Sequence, residues 1–414
     1  MPKSNSIKVT IVSSSDESGG AAKAAFRLHK ALLVENINSS MVVQKKISDN
    51  VFVYDASSII QRAFSIIRPL IERLFINLIY RNKSSGLFSI GWIRSKRFIR
   101  QINAMNPDIV HLHWVNGGMI RIEDISKINA PIIWNLQDMW PFTGGCHFDE
   151  GCEGYLKNCG NCKVLSSKRE HDLSRLIFRR KEKAYKKIDK LVINGVSKWI
   201  AGCAENSSLF KDKSINNIPN LVDTGLFKPI EKEIAREVFK IPVHKKVILF
   251  GASSIIDDRK GYKLLLNALS AFVDSNTIFV IAGQSKPLEP IKLKIPVYYI
   301  PPQHDDASLA LMYNCADVVL VPSLQENLSN MIIESLACGV PVVAFNIGGN
   351  ADMIEHKWNG YLANELDNND MLNGIRWVIN EDIISLSDNS RKKALQNFSE
   401  SVVVRRYIDF YKNI

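Results

Sequence analysis

Short apolar runs bounded by polar loops recur along the chain, separated by stretches with helical spacing. Ile7 to Ser13 reads as a strand, and Gly19-Gly20 turns into a helix over Ala21 to Glu35, with Ala24, Ala25, Leu28 and Leu32 on one face. Met41 to Gln44, Asp108 to His113, Pro131 to Leu136 and Lys190 to Asn194 are further strands, with a long basic helix from Asp172 to Ile188 before the last. After the segment Ile218 to Pro229 the pattern starts again. Strands follow at Val247–Gly251, Thr277–Ala282, Val297–Ile300, Val318–Val321 and Val340–Phe345, with helices at Tyr262–Val273, Ala307–Cys315 and Asn330–Ala337. Apolar strands alternating with helices predict an α/β protein with parallel, doubly wound sheets. The repeat of the pattern predicts two Rossmann-like domains, 1–195 and 196–395, facing a cleft, and a C-terminal helix within 396–414.

Composition agrees with that division. A chain of 414 residues suits two domains, and 46% hydrophobic with 23% charged residues is ordinary for a soluble protein. No uncharged apolar run is long enough to cross a bilayer. Residues 1–15 lack the apolar core and cleavage site of a signal peptide, so a cytoplasmic location is expected. The net charge of +11 fits an anionic partner. It is concentrated in a basic insertion, 59–100, where Glu72 is the sole acid and Arg62, Arg68, Arg73, Arg81, Lys83, Arg94, Lys96, Arg97 and Arg100 are interleaved with apolar residues. Ile66, Ile67, Leu70, Leu74 and Phe75 form one face of a basic amphipathic helix, which predicts peripheral contact with a membrane surface or, equally, an ordinary domain helix with solvated arginines. No nucleic-acid motif is present, so no nucleic-acid partner is expected.

Four of the seven cysteines, Cys146, Cys152, Cys159 and Cys162, fall in one loop, 140–165. In a reducing compartment such clustering points to metal before disulfide. Cys159-Gly-Asn-Cys162 has the two-residue spacing of a zinc knuckle, and four thiolates would complete a structural zinc site, with His147 as a substitute ligand. The same spacing also suits free thiols or two disulfides.

Candidate chemistry is densest between Pro322 and Asp352. Glu326 precedes the helix expected from Asn330, and Glu334 lies one turn into it. The amides of Asn327, Leu328 and Ser329 lead into the helix N-terminus, where anionic groups are favoured. Carboxylates for sugar or ribose hydroxyls beside amides for phosphate describe a nucleotide-sugar site. The next strand ends in Gly348-Gly349, where backbone can approach a ligand.

This block resembles the Glu-x7-Glu signature of retaining GT-B glycosyltransferases of family 4. Glu326 and Glu334 match its two glutamates, and Ala337-Cys-Gly-Val-Pro-Val-Val343 matches the strand entry that follows. Ile218-Pro-Asn220, Asp223, Phe227 and Pro229 match the segment before the family's donor domain. Trp140-Pro-Phe-Thr-Gly-Gly-Cys-His147 with its cysteines is similar to a bacterial subgroup that builds exopolysaccharide, colanic-acid-like or O-antigen chains.

The resemblance implies that Glu326 lies by the donor sugar and Glu334 binds the ribose. It matches Lys260-Gly261 to the family's diphosphate-binding Lys-Gly. The family's arginine after the preceding strand is missing from Gly251-Ala-Ser-Ser254, and Arg259 is expected to supply the second charge. Gly19 and Gly20 face the cleft in such a fold, and Lys198 stands where relatives have an arginine. Gln137 replaces a histidine that contacts donor or acceptor, which keeps hydrogen bonding but loses proton transfer. Asp138 is expected to orient the acceptor hydroxyl or take its proton, or else to cap the following turn. His113 is expected to face the cleft and His111 to be a core residue.

The activity so implied is transfer of a sugar from a UDP- or GDP-sugar to a lipid-linked or saccharide acceptor at the inner membrane face, in surface polysaccharide synthesis. No catalytic cofactor is expected. Two alternatives share the fold: a nucleotide-sugar 2-epimerase and a non-catalytic sugar-binding protein.

Overall fold

Strand β1 (Lys8–Ser15) is the first strand of a parallel sheet whose central members are buried on both faces. A computed structural model of the chain describes residues 7–55, 59–251, 257–283 and 291–414, and for 59–66 the backbone alone. The arginine-lacking residues 252–254 and the side chains of Arg62 and Ile66 lie outside the described residues. The chain divides into two compact units, residues 1–219 with 404–414, and residues 220–403.

In the first unit, β1 is joined by β2 (Asn38–Lys45), β3 (Val53–Tyr54), β4 (Ile109–Leu112), β5 (Ile132–Leu136), β6 (Leu191–Gly195) and β7 (Ser214–Asn217). Their order is β3-β2-β1-β4-β5-β6-β7, all parallel. The order reverses direction between β1 and β4, and the loops at the carboxyl ends of those strands frame the crevice where such folds bind ligands. The unit extends past the boundary expected at residue 195, because the helix Lys198–Asn206 and β7 both build onto the first sheet. The weakly apolar sequence Ser-Ile-Asn-Asn of β7 hides it as a strand, since an edge position needs little burial.

The second unit repeats the plan with β8 (Lys246–Gly251), β9 (Thr277–Ala282), β10 (Val297–Ile300), β11 (Val318–Val321), β12 (Val342–Phe345) and β13 (Gly360–Ala363). Their order, β10-β9-β8-β11-β12-β13, reverses between β8 and β11. The core lies around β8, β9, β11 and β12, from Ile248, Phe250, Phe279, Leu320 and Phe345, with Leu265, Leu269 and Ile375 packed on from helices.

The last helix, Glu400–Lys412, starts in the second unit and ends in the first. Tyr407 and Tyr411 are buried on the first sheet. Asn194 Nδ2 donates to the Tyr407 hydroxyl at 3.1 Å, which donates to Asn135 Oδ1 at 3.1 Å. The Tyr411 hydroxyl bonds His111 Nδ1 at 2.8 Å.

His111 is therefore a core residue, and burial lowers its pKa to about 3. Burial likewise lowers His29, which bonds Ser39 Oγ at 2.8 Å, to about 4. Both rings are neutral in the fold while the unfolded chain takes up protons below its ordinary value of 6.5. Stability held at neutral pH is thus lost as pH falls from 6.5 toward the folded values. At pH 5 the loss is on the order of 2 kcal/mol for each histidine. Thermal melts at pH 7.5 and 5 should show a lower Tm at pH 5, with a smaller drop in His29→Asn; equal drops in wild type and variant would show that His29 is not the proton acceptor.

Candidate active site

Two loops meet at the strand-order reversal of the second unit. After β8, residues Asp258–Lys260 form a single 3-10 turn that ends at Gly261 and leads into the helix Tyr262–Ser270. Gly261 has φ +69°, and a β-carbon there would lie 1.7 Å from the carbonyl oxygen of Pro322, at the start of the loop after β11. Only glycine permits that approach. The Leu324 N–H then donates to the Arg259 carbonyl at 2.7 Å, tying the two loops together.

This tie brings Lys260 and Glu326 together. Lys260 Nζ donates to Glu326 Oε2 at 3.2 Å, and Ser323 Oγ donates to the same oxygen at 3.3 Å. The Glu326 carboxylate is largely buried while the Lys260 ammonium stays part-exposed. Asn327, Leu328 and Ser329 follow, all buried, and Ser329 is the N-cap residue of the helix Asn330–Ala337. No acid stands in that helix's first turn. Gly251, at the end of β8, would meet Met331 Cε at 2.6 Å if it carried a β-carbon, so the helix N-terminus rests against the end of β8. A cation, a carboxylate and a helix N-terminus thus share one sheet edge.

Glu334 and Arg259 are placed differently. Glu334 is buried in the helix, where Oε2 accepts the Tyr313 hydroxyl at 2.7 Å. Tyr313 was not visible as its partner in the sequence, since it comes from the helix Asp306–Asn314. Arg259 donates from Nε and Nη2 to Asp257 at 3.0 and 2.8 Å, so its charge is already offset by a carboxylate beside it. Its guanidinium, in turn, holds Asp257 below the usual carboxylate range.

In the first unit, Gly19 has φ +92° and no atom within 4 Å of where its β-carbon would stand. With Gly20 it opens the helix Gly20–Val34 at the carboxyl end of β1. His113 follows β4, buried, and its pKa is held well below the ordinary value by burial and then by His111. Gln137 Nε2 stands 3.5 Å from His113 Nδ1, at the limit of a hydrogen bond. Lys198 is exposed at the start of the helix Lys198–Asn206, one residue after the N-cap Ser197.

Asp138 is the most heavily engaged of the expected residues. Its Oδ1 accepts the Trp140 N–H at 2.9 Å, and its Oδ2 accepts Trp114 Nε1–H at 2.8 Å and bonds His147 Nδ1 at 2.5 Å. Ser89 Oγ lies 3.0 Å from His147 Nε2. His147, expected only as a metal ligand, is thus the partner of Asp138. Spacing gave no sign of this because the two residues meet through a loop.

The cysteine loop is held by polar groups of the helix Leu173–Tyr185. Buried Lys181 donates to the carbonyls of Trp140 and Thr143, Tyr185 to that of Pro141 and Arg175 to that of Cys159. Burial pulls the Lys181 ammonium down to about 7. The four cysteines are free thiols. Gly144 N–H donates to Cys159 Sγ at 3.1 Å. Among the described residues no three His, Cys, Asp or Glu side chains are grouped to hold a metal ion.

Comparison with known proteins bears on the second unit first. Residues 245–381 match the family model described as Glycosyl transferases group 1. Those residues lie within the second unit, which is thus similar to that family over most of its length. Among curated relatives, a D-inositol 3-phosphate glycosyltransferase of Mycolicibacterium smegmatis is 28% identical over 186 residues, 42% of each chain. One of Saccharomonospora viridis is 23% identical over 332 residues, 74% of this chain and 70% of the relative. The chain thus spans less than half of the first relative's length. A solved structure titled Anabaena HepE in complex with UDP-glucose has TM-score 0.64 at 14% identity, covering 99% of this chain and all of that one. The fold is GT-B, with a Rossmann-like parallel sheet in each unit.

The two readings of Asp138 part under substitution. Asp138→Ala leaves a buried histidine and an indole N–H without their acceptor, at about 1–3 kcal/mol for each group. Asp138→Asn keeps one acceptor oxygen. A purely structural aspartate predicts a Tm drop in Asp138→Ala and near-normal transfer in Asp138→Asn. A stable Asp138→Asn protein without transfer would make the carboxylate itself necessary to the chemistry.

Proposed function

We propose that the whole chain is a retaining, metal-ion-independent hexosyltransferase of the family 4 type. It moves a sugar from a UDP- or GDP-sugar to a lipid-linked or saccharide acceptor in bacterial surface polysaccharide synthesis, in the cytoplasm at the inner membrane face. The observation that carries this reading is the Lys260–Glu326 pair, at 3.2 Å, beside a helix N-terminus on the strand-order reversal of the second unit.

The chemistry follows from what each group can do. As the bond from the anomeric carbon to the diphosphate breaks, negative charge grows on the leaving group. Lys260 and the amides of Asn327, Leu328 and Ser329 stabilise that charge most where it is greatest, in the transition state. Glu326, held by Lys260 and Ser323, accepts hydrogen bonds from hydroxyls of the donor sugar, and Glu334 takes the ribose. Arg259 acts through the general positive field, since Asp257 already pairs with it. On the acceptor side the proposal assigns Asp138, Gln137 and His113, with Gly19, Gly20 and Lys198 contributing backbone approach and charge. Retention rests on the family resemblance, and the uridine donor is supported by the UDP-glucose complex of the HepE structure. The epimerase and binding-protein alternatives gain no support from any particular contact.

Lys260→Ala should lower kcat on the order of a hundredfold while raising donor KM little. Normal kcat with raised KM would reduce Lys260 to a binding residue. Release of nucleoside diphosphate should require both donor and acceptor; release without acceptor, or none with any acceptor, would overturn the transferase reading. Glu334→Ala should weaken stabilisation by UDP in thermal melts, and unchanged UDP affinity in the folded variant would remove Glu334 from the site.

A structural zinc in the cysteine loop is a separate proposal, supported by the knuckle spacing and by the Gly144 N–H aimed at Cys159 sulfur. The thiols as arranged do not fit a metal, and holding one requires them to close on the ion. Elemental analysis should find about one zinc per chain. Metal-free protein with four alkylatable loop thiols and full activity would retire the proposal.

A further inference from the structure

The helix Ile59–Ile79 is packed the wrong way round for a helix of a globular protein. The inward stripe, at two successive four-residue steps, is Arg68, Glu72 and Ile76, all buried. Arg68 Nε donates to the Gly118 carbonyl at 2.6 Å, and Nη2 reaches the carbonyls of Arg94 at 3.0 Å, Ile93 at 3.3 Å and Met119 at 3.3 Å. Glu72 Oε1 accepts the N–H groups of Ile90 and Gly91 at 2.6 and 2.7 Å. These bonds satisfy loop backbone that burial would otherwise leave unpaired, so they fix the rotation of the helix about its axis.

The apolar residues consequently point outward. Ile67, Leu70, Ile71, Leu74 and Leu78 recur at three- and four-residue steps on one face, with exposures of 45, 60, 37, 62 and 64%. Phe75 and Trp92, whose rings stand 4.8 Å apart, extend this surface. A contiguous exposed apolar stripe of this kind marks an interaction surface. Arg73, Arg81 and Arg94 are exposed around it, and the one acid of the region, Glu72, is buried.

We propose that this face docks on an anionic phospholipid surface. The leucines enter the boundary between headgroups and acyl chains, and the arginines meet the phosphates. A second copy of the chain is disfavoured as the occupant, because it would bring a like-charged rim against this one. No helix among the described residues is long and apolar enough to cross a membrane, so contact from one side is the mode this surface allows. For its purpose the proposal rests on the lipid-linked acceptor reading, whereas the surface is read from geometry and is tested without any sugar donor.

The test is co-sedimentation of the full chain with phosphatidylcholine vesicles, with and without phosphatidylglycerol, alongside the variant Leu70→Ser/Leu74→Ser/Leu78→Ser. All three side chains are exposed, so the variant should keep the wild-type Tm and its thermal response to UDP. Wild type should bind the anionic vesicles, less so at high salt, and the variant on the order of tenfold more weakly. If the variant loses Tm, Leu74→Ser alone is compared at matched stability. Absence of wild-type binding, equal binding by the variants, or a concentration-dependent dimer that they abolish would each overturn the proposal. Absence of wild-type vesicle binding with the wild-type UDP response intact would count only against the surface. The converse would count only against the transferase reading.

Discussion

The candidate site depends on one backbone contact, the passage of Gly261 against the carbonyl of Pro322. A side chain at that position would have to occupy the space of a main-chain oxygen. The hydrogen bond from Leu324 N–H to the Arg259 carbonyl closes the same junction. Lys260 and Glu326 are 66 residues apart in sequence, and their ion pair is a consequence of this junction rather than its cause. An ion pair whose ammonium is part-exposed contributes too little by itself to hold two loops. The backbone approach fixes the geometry, and the charges then take the position it gives them.

Polar groups do much of the positioning in the first unit as well. Lys181, Tyr185 and Arg175 hold the cysteine loop by its carbonyls, Asp138 gathers Trp114, Trp140 and His147, and Arg68 with Glu72 sets the helix Ile59–Ile79. Each replaces water lost by a buried backbone or ring group with a directional partner. Directionality has a consequence that apolar packing lacks: it can hold a helix with its leucines toward solvent. In the cysteine loop these polar groups act beside buried apolar side chains, Trp140, Phe142 and Tyr155 among them.

Much of the fold was legible in the sequence. Most strands are short continuous apolar runs, and β9, β10 and β11 fall where those runs fall. Strands β3, β7 and β13 escaped: β3 has only two residues, β7 is polar and part-exposed at its edge, and β13 is four residues opening on a glycine. The late helices Asn368–Asn380 and Ile383–Asn397 were missed too, their apolar spacing being diluted by asparagine and serine. The domain boundary shifted by the length of one helix and one strand for the same reason.

By itself the sequence determined the alternation of strand and helix and the repeat of that alternation, and it brought the Glu326 and Lys260 loops forward as candidates. Local periodicity and local motif suffice for such features, because each is written within a few neighbouring residues. Tertiary structure alone decided that Arg259 pairs with Asp257, that Glu334 takes Tyr313, that His147 joins Asp138 rather than a cysteine cluster, and that Arg68 turns inward. A polar side chain goes to whichever unsatisfied partner the fold brings within about 3 Å, and for most of these that partner lies on another element. Sequence spacing carries no record of that choice.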